Sequence, residues 1–129
     1  MGQEVRVLVC EDDSAIRTLV ELLLRRRGYT VDVAVDGEVA ITALARGPYD
    51  VIVLDLLMPG TSGYAVLDYL RQHHPQQLSR VIITTASQDA FREVFPAASM
   101  LRKPFDIYEL EAFVRRVAGR EEEACPLEH

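Results

Sequence analysis

"VIVLDLLMPGTSGY", residues 51–64, decides the fold. Val51-Ile52-Val53-Leu54 is an unbroken aliphatic run without polar alternation, the pattern of a strand covered on both faces. Asp55 follows at once, and Met58-Pro59-Gly60, two hydroxyls and Gly63 then prevent the strand from continuing. The most hydrophobic strand of the chain therefore ends on an acid, and the flanking sequence has to explain why.

Strand and helix patterns alternate on both sides of this stretch. Residues 5–10 read as a buried strand, and 14–27 as a helix with Ile16, Leu19, Val20 and Leu23 on one face. Arg25-Arg26-Arg27 followed by Gly28 reads as a helix end, with cations on the negative pole of the dipole, in preference to a basic binding patch. A strand over 29–35 and a helix over 36–46 come next, and a helix over 63–73 is stopped by Pro75. Residues 81–85 form the fourth strand, 88–95 a short fourth helix, and about 99–101 a short fifth strand leading into Arg102-Lys103-Pro104. The last helix starts at Asp106, which has capping-box spacing to Glu109, and carries the stripe Ile107, Leu110, Phe113, Val114 and Val117. Five strands alternating with five helices predict an α/β domain over residues 3–120, a parallel sheet wrapped on both faces. Residues 121–129 read as a tail. Glu121-Glu122-Glu123 is a solvated end, and Leu127-Glu128-His129 reads as vector-derived, so an output domain beyond it is an open expectation.

Composition narrows the function classes. The 129 residues are 49% hydrophobic and 26% charged, as expected for one soluble globular core. A net charge of −6 offers no global basic field for nucleic acid or an anionic membrane, and no apolar run approaches the ~20 residues of a membrane span. The two cysteines, Cys10 and Cys125, have no disulfide-framework or metal spacing and suit a reducing cytoplasm, the expected location.

Ligands of such sheets bind beyond the carboxyl ends of the strands. The first strand ends in Glu11-Asp12-Asp13 and the third in Asp55. If these strands are neighbours, Glu11, Asp12 and Asp55 converge, and their repulsion favours a cation among them. Oxygen donors without histidine or thiolate point to Mg²⁺ rather than zinc. The fourth strand brings the Thr85 hydroxyl to the same edge, and the fifth brings the Lys103 ammonium. Helix capping accounts for Asp13 or Ser14, but not for acids, a hydroxyl and a lysine at four successive strand ends.

With these residues in place, the sequence resembles the receiver domains of two-component response regulators. The resemblance covers about residues 5–119 and is carried by Glu11-Asp12, Asp55 with Met58-Pro59-Gly60, Thr85-Ala86 and Lys103-Pro104-Phe105. It implies a flavodoxin-like, doubly wound sheet of order 2-1-3-4-5. It also implies that Asp55 is the phosphoacceptor, taking a phosphoryl group from a sensor histidine kinase or phosphotransfer protein. Mg²⁺ would be held by Asp12, Asp55 and the backbone carbonyl of Leu57, with Glu11 acting through water. Lys103 would neutralise phosphoryl charge, and Thr85 would turn inward to bond the phosphoryl group and switch the domain. On this reading the chain is no enzyme beyond its own phosphorylation and dephosphorylation.

Two rival readings compete with this one. An aspartyl-phosphate phosphatase of the haloacid-dehalogenase kind needs a second acid two positions after its nucleophile, and that position is Leu57. A pseudo-receiver, a protein-interaction module that takes no phosphate, would not need the full set of acceptor, metal and lysine positions. His73-His74 close a helix and carry no relay or metal signal, and Cys10 reads as an inert core residue. One departure stands out: Met100 occupies the place, three before the lysine, where receivers usually carry Tyr or Phe. The span from Thr85 to Lys103 also looks short by about one helical turn, ~4 residues. Both features predict a monomer or a non-standard dimer that avoids the surface formed by 88–95 and 107–117, with the first helix as an alternative signalling face.

Overall fold

A computed structural model of the protein describes residues 4–58, 60–86 and 99–120. Five strands, β1 (Arg6–Cys10), β2 (Thr30–Ala34), β3 (Val51–Asp55), β4 (Val81–Thr85) and β5 (Ser99–Arg102), form one sheet of order β2-β1-β3-β4-β5. Every pairing is parallel. Four α-helices are described: α1 (Ser14–Arg26), α2 (Gly37–Arg46), α3 (Gly63–His73) and α4 (Ile107–Val117). The short helix expected over 88–95 lies outside the described residues. Pro75 does end α3, but the chain then makes a 3-10 turn over Pro75–Arg80 before entering β4.

The apolar run of β3 is explained by its two covers. Ile52 and Leu54 pack into a core shared with Ala40 and Leu44 of α2 and Val66, Leu67 and Leu70 of α3. Val51 and Val53 face the opposite core, with Val20 and Leu24 of α1 and Leu110 and Val114 of α4. Alternate side chains of a strand point to opposite faces, so a strand with helices on both sides needs apolar residues at every position. All five residues of β3 are buried.

The helix starts follow the capping residues. Asp13 Oδ1 accepts from the N–H of Ala15 and Ile16 at 2.9 and 3.1 Å, and Asp36 Oδ1 from Val39 at 2.9 Å. Asp106 caps α4 as expected, although its carboxylate accepts from Tyr108 N, at 2.8 Å, rather than from position 109. Such caps satisfy N–H groups that have no partner within the helix.

Two expectations for α1 need correction. Its inward line is Ile16, Val20 and Leu24, while Leu19 is 58% exposed. Three consecutive leucines at 22–24 leave helical periodicity without a unique phase, and packing against β1 and α4 chooses it. Arg27 does more than complement the helix dipole. Its side chain is buried and pairs with the equally buried Glu111 of α4 at 3.6 Å, which Arg115 also approaches at 3.8 Å.

Parallel strands deliver their carboxyl ends to one edge. Cys10 lies opposite Leu54, which places residue 11 beside residue 55. Asp55 lies opposite Thr84, and Thr85 opposite Arg102, so Lys103 emerges immediately beyond Thr85. The register alone gathers the predicted residues.

Candidate functional site

At this edge, carboxylate oxygens of Glu11, Asp12 and Asp55 lie within 4.8 Å of one another. Glu11 and Asp55 are buried and Asp12 is exposed, so the cluster opens to solvent on the Asp12 side. Lys103 Nζ stands 3.0 Å from Asp55 Oδ2, 2.9 Å from Glu11 Oε1 and 3.2 Å from Glu11 Oε2. One ammonium thus bonds the two buried carboxylates of a three-acid cluster. The Lys103–Pro104 peptide is cis, and Lys103 N donates to the Thr85 carbonyl at 2.8 Å, which ties the lysine to the end of β4.

Backbone donors fix the acids. Leu57 N donates to Asp55 Oδ1 at 3.1 Å, so both oxygens of Asp55 are engaged, one by an amide and one by Lys103. Asp13 N donates to Glu11 Oε2 at 3.1 Å. Gly63 opens α3 directly beneath this loop. A Cβ there would collide with the Asp55 carbonyl oxygen and stand 2.7 Å from Leu56 Cα, so only glycine lets α3 approach the strand end this closely. The Leu57 side chain is exposed while Leu56 and Met58 turn inward, which leaves Leu57 on the solvent side of the loop.

The electrostatics follow from burial. Desolvation raises the Glu11 pKa and the Asp55 charge adds to it, against the lowering effect of the Lys103 and Asp13 hydrogen bonds. Burial alone would pull Lys103 down, but its bonds to Glu11 and Asp55 and their charges outweigh it and leave the ammonium raised. The Cys10 thiol, next to this site in sequence, is fully buried and pushed up by desolvation and by Glu11, consistent with an unreactive core residue.

All the predicted site residues reach this edge. Thr85 is buried at the carboxyl end of β4, one residue past the strand level of Asp55. His73 and His74 do not join them. They close α3, about 16 Å along its axis from Gly63, with His73 stacked on Tyr69 at 4.5 Å between ring centroids. Met100 is half-buried opposite Ile83 and packs against the core beneath α2 and α3. One neighbour of the site was not anticipated. Arg17, in the first turn of α1, donates from Nη1 to the carbonyls of Glu11 at 3.0 Å and Asp12 at 3.3 Å.

The donor set suits a small hard cation. It is made of oxygen alone, three carboxylates bring oxygens within 4.8 Å of one another, and one ammonium leaves their charge incompletely balanced. One of its members, Asp55, is buried and held in one orientation by Leu57 N and Lys103.

Comparison with known proteins agrees with this geometry. A family model described as the response regulator receiver domain matches residues 7–115. Response regulator ArlR of Staphylococcus epidermidis is 34% identical over 119 residues, a match covering 89% of this chain and 53% of that protein. The chain thus spans about half the length of the curated relatives it matches. Among solved structures, the receiver domain of Francisella response regulator 1452 superposes with a TM-score of 0.78 at 34% identity, covering 91% of this chain and 98% of that one. The response regulator TrrA of Thermotoga maritima, solved in complex with Mg(2+)-BeF, superposes with a TM-score of 0.75 at 32% identity, covering 88% and 98%.

Proposed function

The chain belongs to the response regulator receiver family, and from that premise we propose that it accepts a phosphoryl group on Asp55 and relays a signal by changing conformation. The observation that carries this reading is the Asp55 carboxylate itself. It is buried at the end of β3, oriented by Leu57 N and Lys103, and beside an acid pair that would otherwise repel it.

The donor is a phosphohistidine on a sensor histidine kinase or a phosphotransfer protein. An Asp55 oxygen attacks phosphorus, the P–N bond breaks, and its electron pair stays on the imidazole nitrogen, which takes up a proton. An acyl phosphate forms on Asp55. Lys103, already within hydrogen-bond reach of Asp55 Oδ2, pairs with the phosphoryl oxygens as charge accumulates there. Asp12, Asp55 and the Leu57 carbonyl would hold Mg²⁺, with Glu11 acting through water. The cation, when bound, supplies further neutralisation of the transferring oxygens. Thr85, at the adjoining strand end, then donates its hydroxyl to the phosphoryl group and biases the two-state domain.

The domain acts in the cytoplasm, as a monomer or as a dimer that does not pack through α4. Treatment with a small-molecule phosphodonor and Mg²⁺, followed by intact-mass spectrometry, tests the reading. One phosphoryl adduct is expected, absent without Mg²⁺. A chain that takes no phosphoryl group under any Mg²⁺ concentration is instead a phosphorylation-independent interaction module.

A further inference from the structure

Building on the receiver reading, we propose that Arg17 is a positioning residue for the cation site, clamping the Glu11–Asp12 backbone so that Asp12 presents its carboxylate to the metal. Asp12 is the exposed member of the acid cluster, and Lys103 bonds Glu11 and Asp55 instead. Among the described residues, no hydrogen bond or ion pair fixes the Asp12 carboxylate. The backbone alone therefore sets where that side chain springs from.

That backbone is fastened on both sides. Asp13 holds α1 through its cap and gives its own N–H to Glu11 Oε2. Arg17 bridges the two preceding carbonyls with a single guanidinium nitrogen, at 3.0 Å to Glu11 and 3.3 Å to Asp12. A helix offers no reason of its own for a cation at this place. The first turn is the positive end of the dipole, where acids are favoured, and α1 carries none there. Bridging the carbonyls is what the position provides.

Two effects of Arg17 on a cation oppose each other. Its positive charge repels a divalent ion and would weaken binding, whereas its clamp preorganises Asp12 and would strengthen it. The guanidinium is partly exposed, so its charge is screened by solvent, while the clamp acts through backbone geometry that solvent does not screen. The clamp therefore outweighs the charge. Residues that orient metal ligands typically contribute 10- to 100-fold in affinity. A solvent-open site belongs at the lower end, about tenfold.

Two substitutions separate the effects. Arg17→Lys keeps the charge, but its side chain is one bond shorter and lacks the Nη1 that bridges both carbonyls, and Arg17→Met removes charge and clamp together. Mn²⁺ binding to the full chain is measured by electron paramagnetic resonance, alongside the Mg²⁺ dependence of phosphorylation by a small-molecule donor, which bypasses any kinase docking. Both variants are expected to bind Mn²⁺ about tenfold more weakly and to need correspondingly more Mg²⁺ for half-maximal phosphorylation, while reaching the wild-type rate at saturation. Tighter binding by Arg17→Met with unchanged binding by Arg17→Lys would show that charge dominates and overturn the proposal. Unchanged affinity in both, with only a lowered melting temperature, would assign Arg17 a purely structural role and also overturn it. Wild-type protein that binds no Mn²⁺ and takes no phosphoryl group would remove the receiver reading itself, whereas normal wild-type binding with unaltered variants removes only the role of Arg17.

Discussion

Replacing Lys103 by methionine removes the one ammonium that bonds the two buried acids. Methionine keeps most of the stem volume, so the loss is chiefly electrostatic. Lys103 Nζ contacts Glu11 at 2.9 Å and Asp55 at 3.0 Å, and those carboxylates are only 5% and 4% exposed. Removing one partner of a fully buried ion pair destabilises by about 3–5 kcal/mol. Here the lysine is 20% exposed and the cluster opens toward Asp12, so water recovers part of that. About 2–3 kcal/mol is expected at pH 7, a fall of roughly 10 °C in Tm for a domain of this size.

The pH dependence has a definite sign. Burial already holds the Glu11 pKa above its ordinary value in the folded protein, and losing Lys103 raises it further. A group with a raised folded pKa contributes stability that is fully present below its unfolded pKa and is lost as pH rises through the folded value. The penalty in Lys103→Met should therefore shrink as pH falls toward the ordinary glutamate pKa of about 4.3, where Glu11 becomes neutral. Urea denaturation at pH 7 and pH 5 measures it. A variant within about 0.5 kcal/mol of wild type at pH 7, the scatter of an ordinary surface substitution, with no change between the two pH values, would refute the charge-coupled picture of the site.

Asp12→Ala should abolish donor-dependent phosphorylation while the apo domain folds at least as stably as wild type, because one of three mutually repelling acids is gone; urea denaturation and intact-mass spectrometry read the two effects. Gly63→Ala places a methyl against the Asp55–Leu56 backbone, and destabilisation by about 1–3 kcal/mol, the usual range for overpacking, should accompany slower phosphorylation. A fully active, equally stable Gly63→Ala would show that α3 can withdraw from the strand end without disturbing Asp55.

The sequence was most readable where one physical rule governs. Val51–Leu54 can satisfy only a strand covered on both faces, and α3 runs from Gly63 to His73 because Ser62 can cap it and Pro75 cannot continue it. The site was readable for a related reason: parallel strands carry their last residues to one edge, so Glu11, Asp55, Thr85 and Lys103 could be placed by strand position alone. Contacts made by long side chains across elements leave no such trace. Nothing periodic marks Arg27 as the buried partner of Glu111, or Arg17 as the bridge between two carbonyls. Helical spacing places Leu19 inward because leucines on successive turns fit two helical phases, and only the packing of Val20 and Leu24 resolves them.

The central claim is that Asp55 is the nucleophile, and localising the phosphoryl bond tests it most directly. After donor treatment, borohydride reduction converts a phosphorylated aspartate to homoserine, which peptide mass spectrometry places in the chain. Homoserine at position 55 in wild type, and no phosphoryl adduct in Asp55→Asn, is the expected result. Homoserine at position 12 or 13, or an adduct of wild-type occupancy in Asp55→Asn, would contradict it.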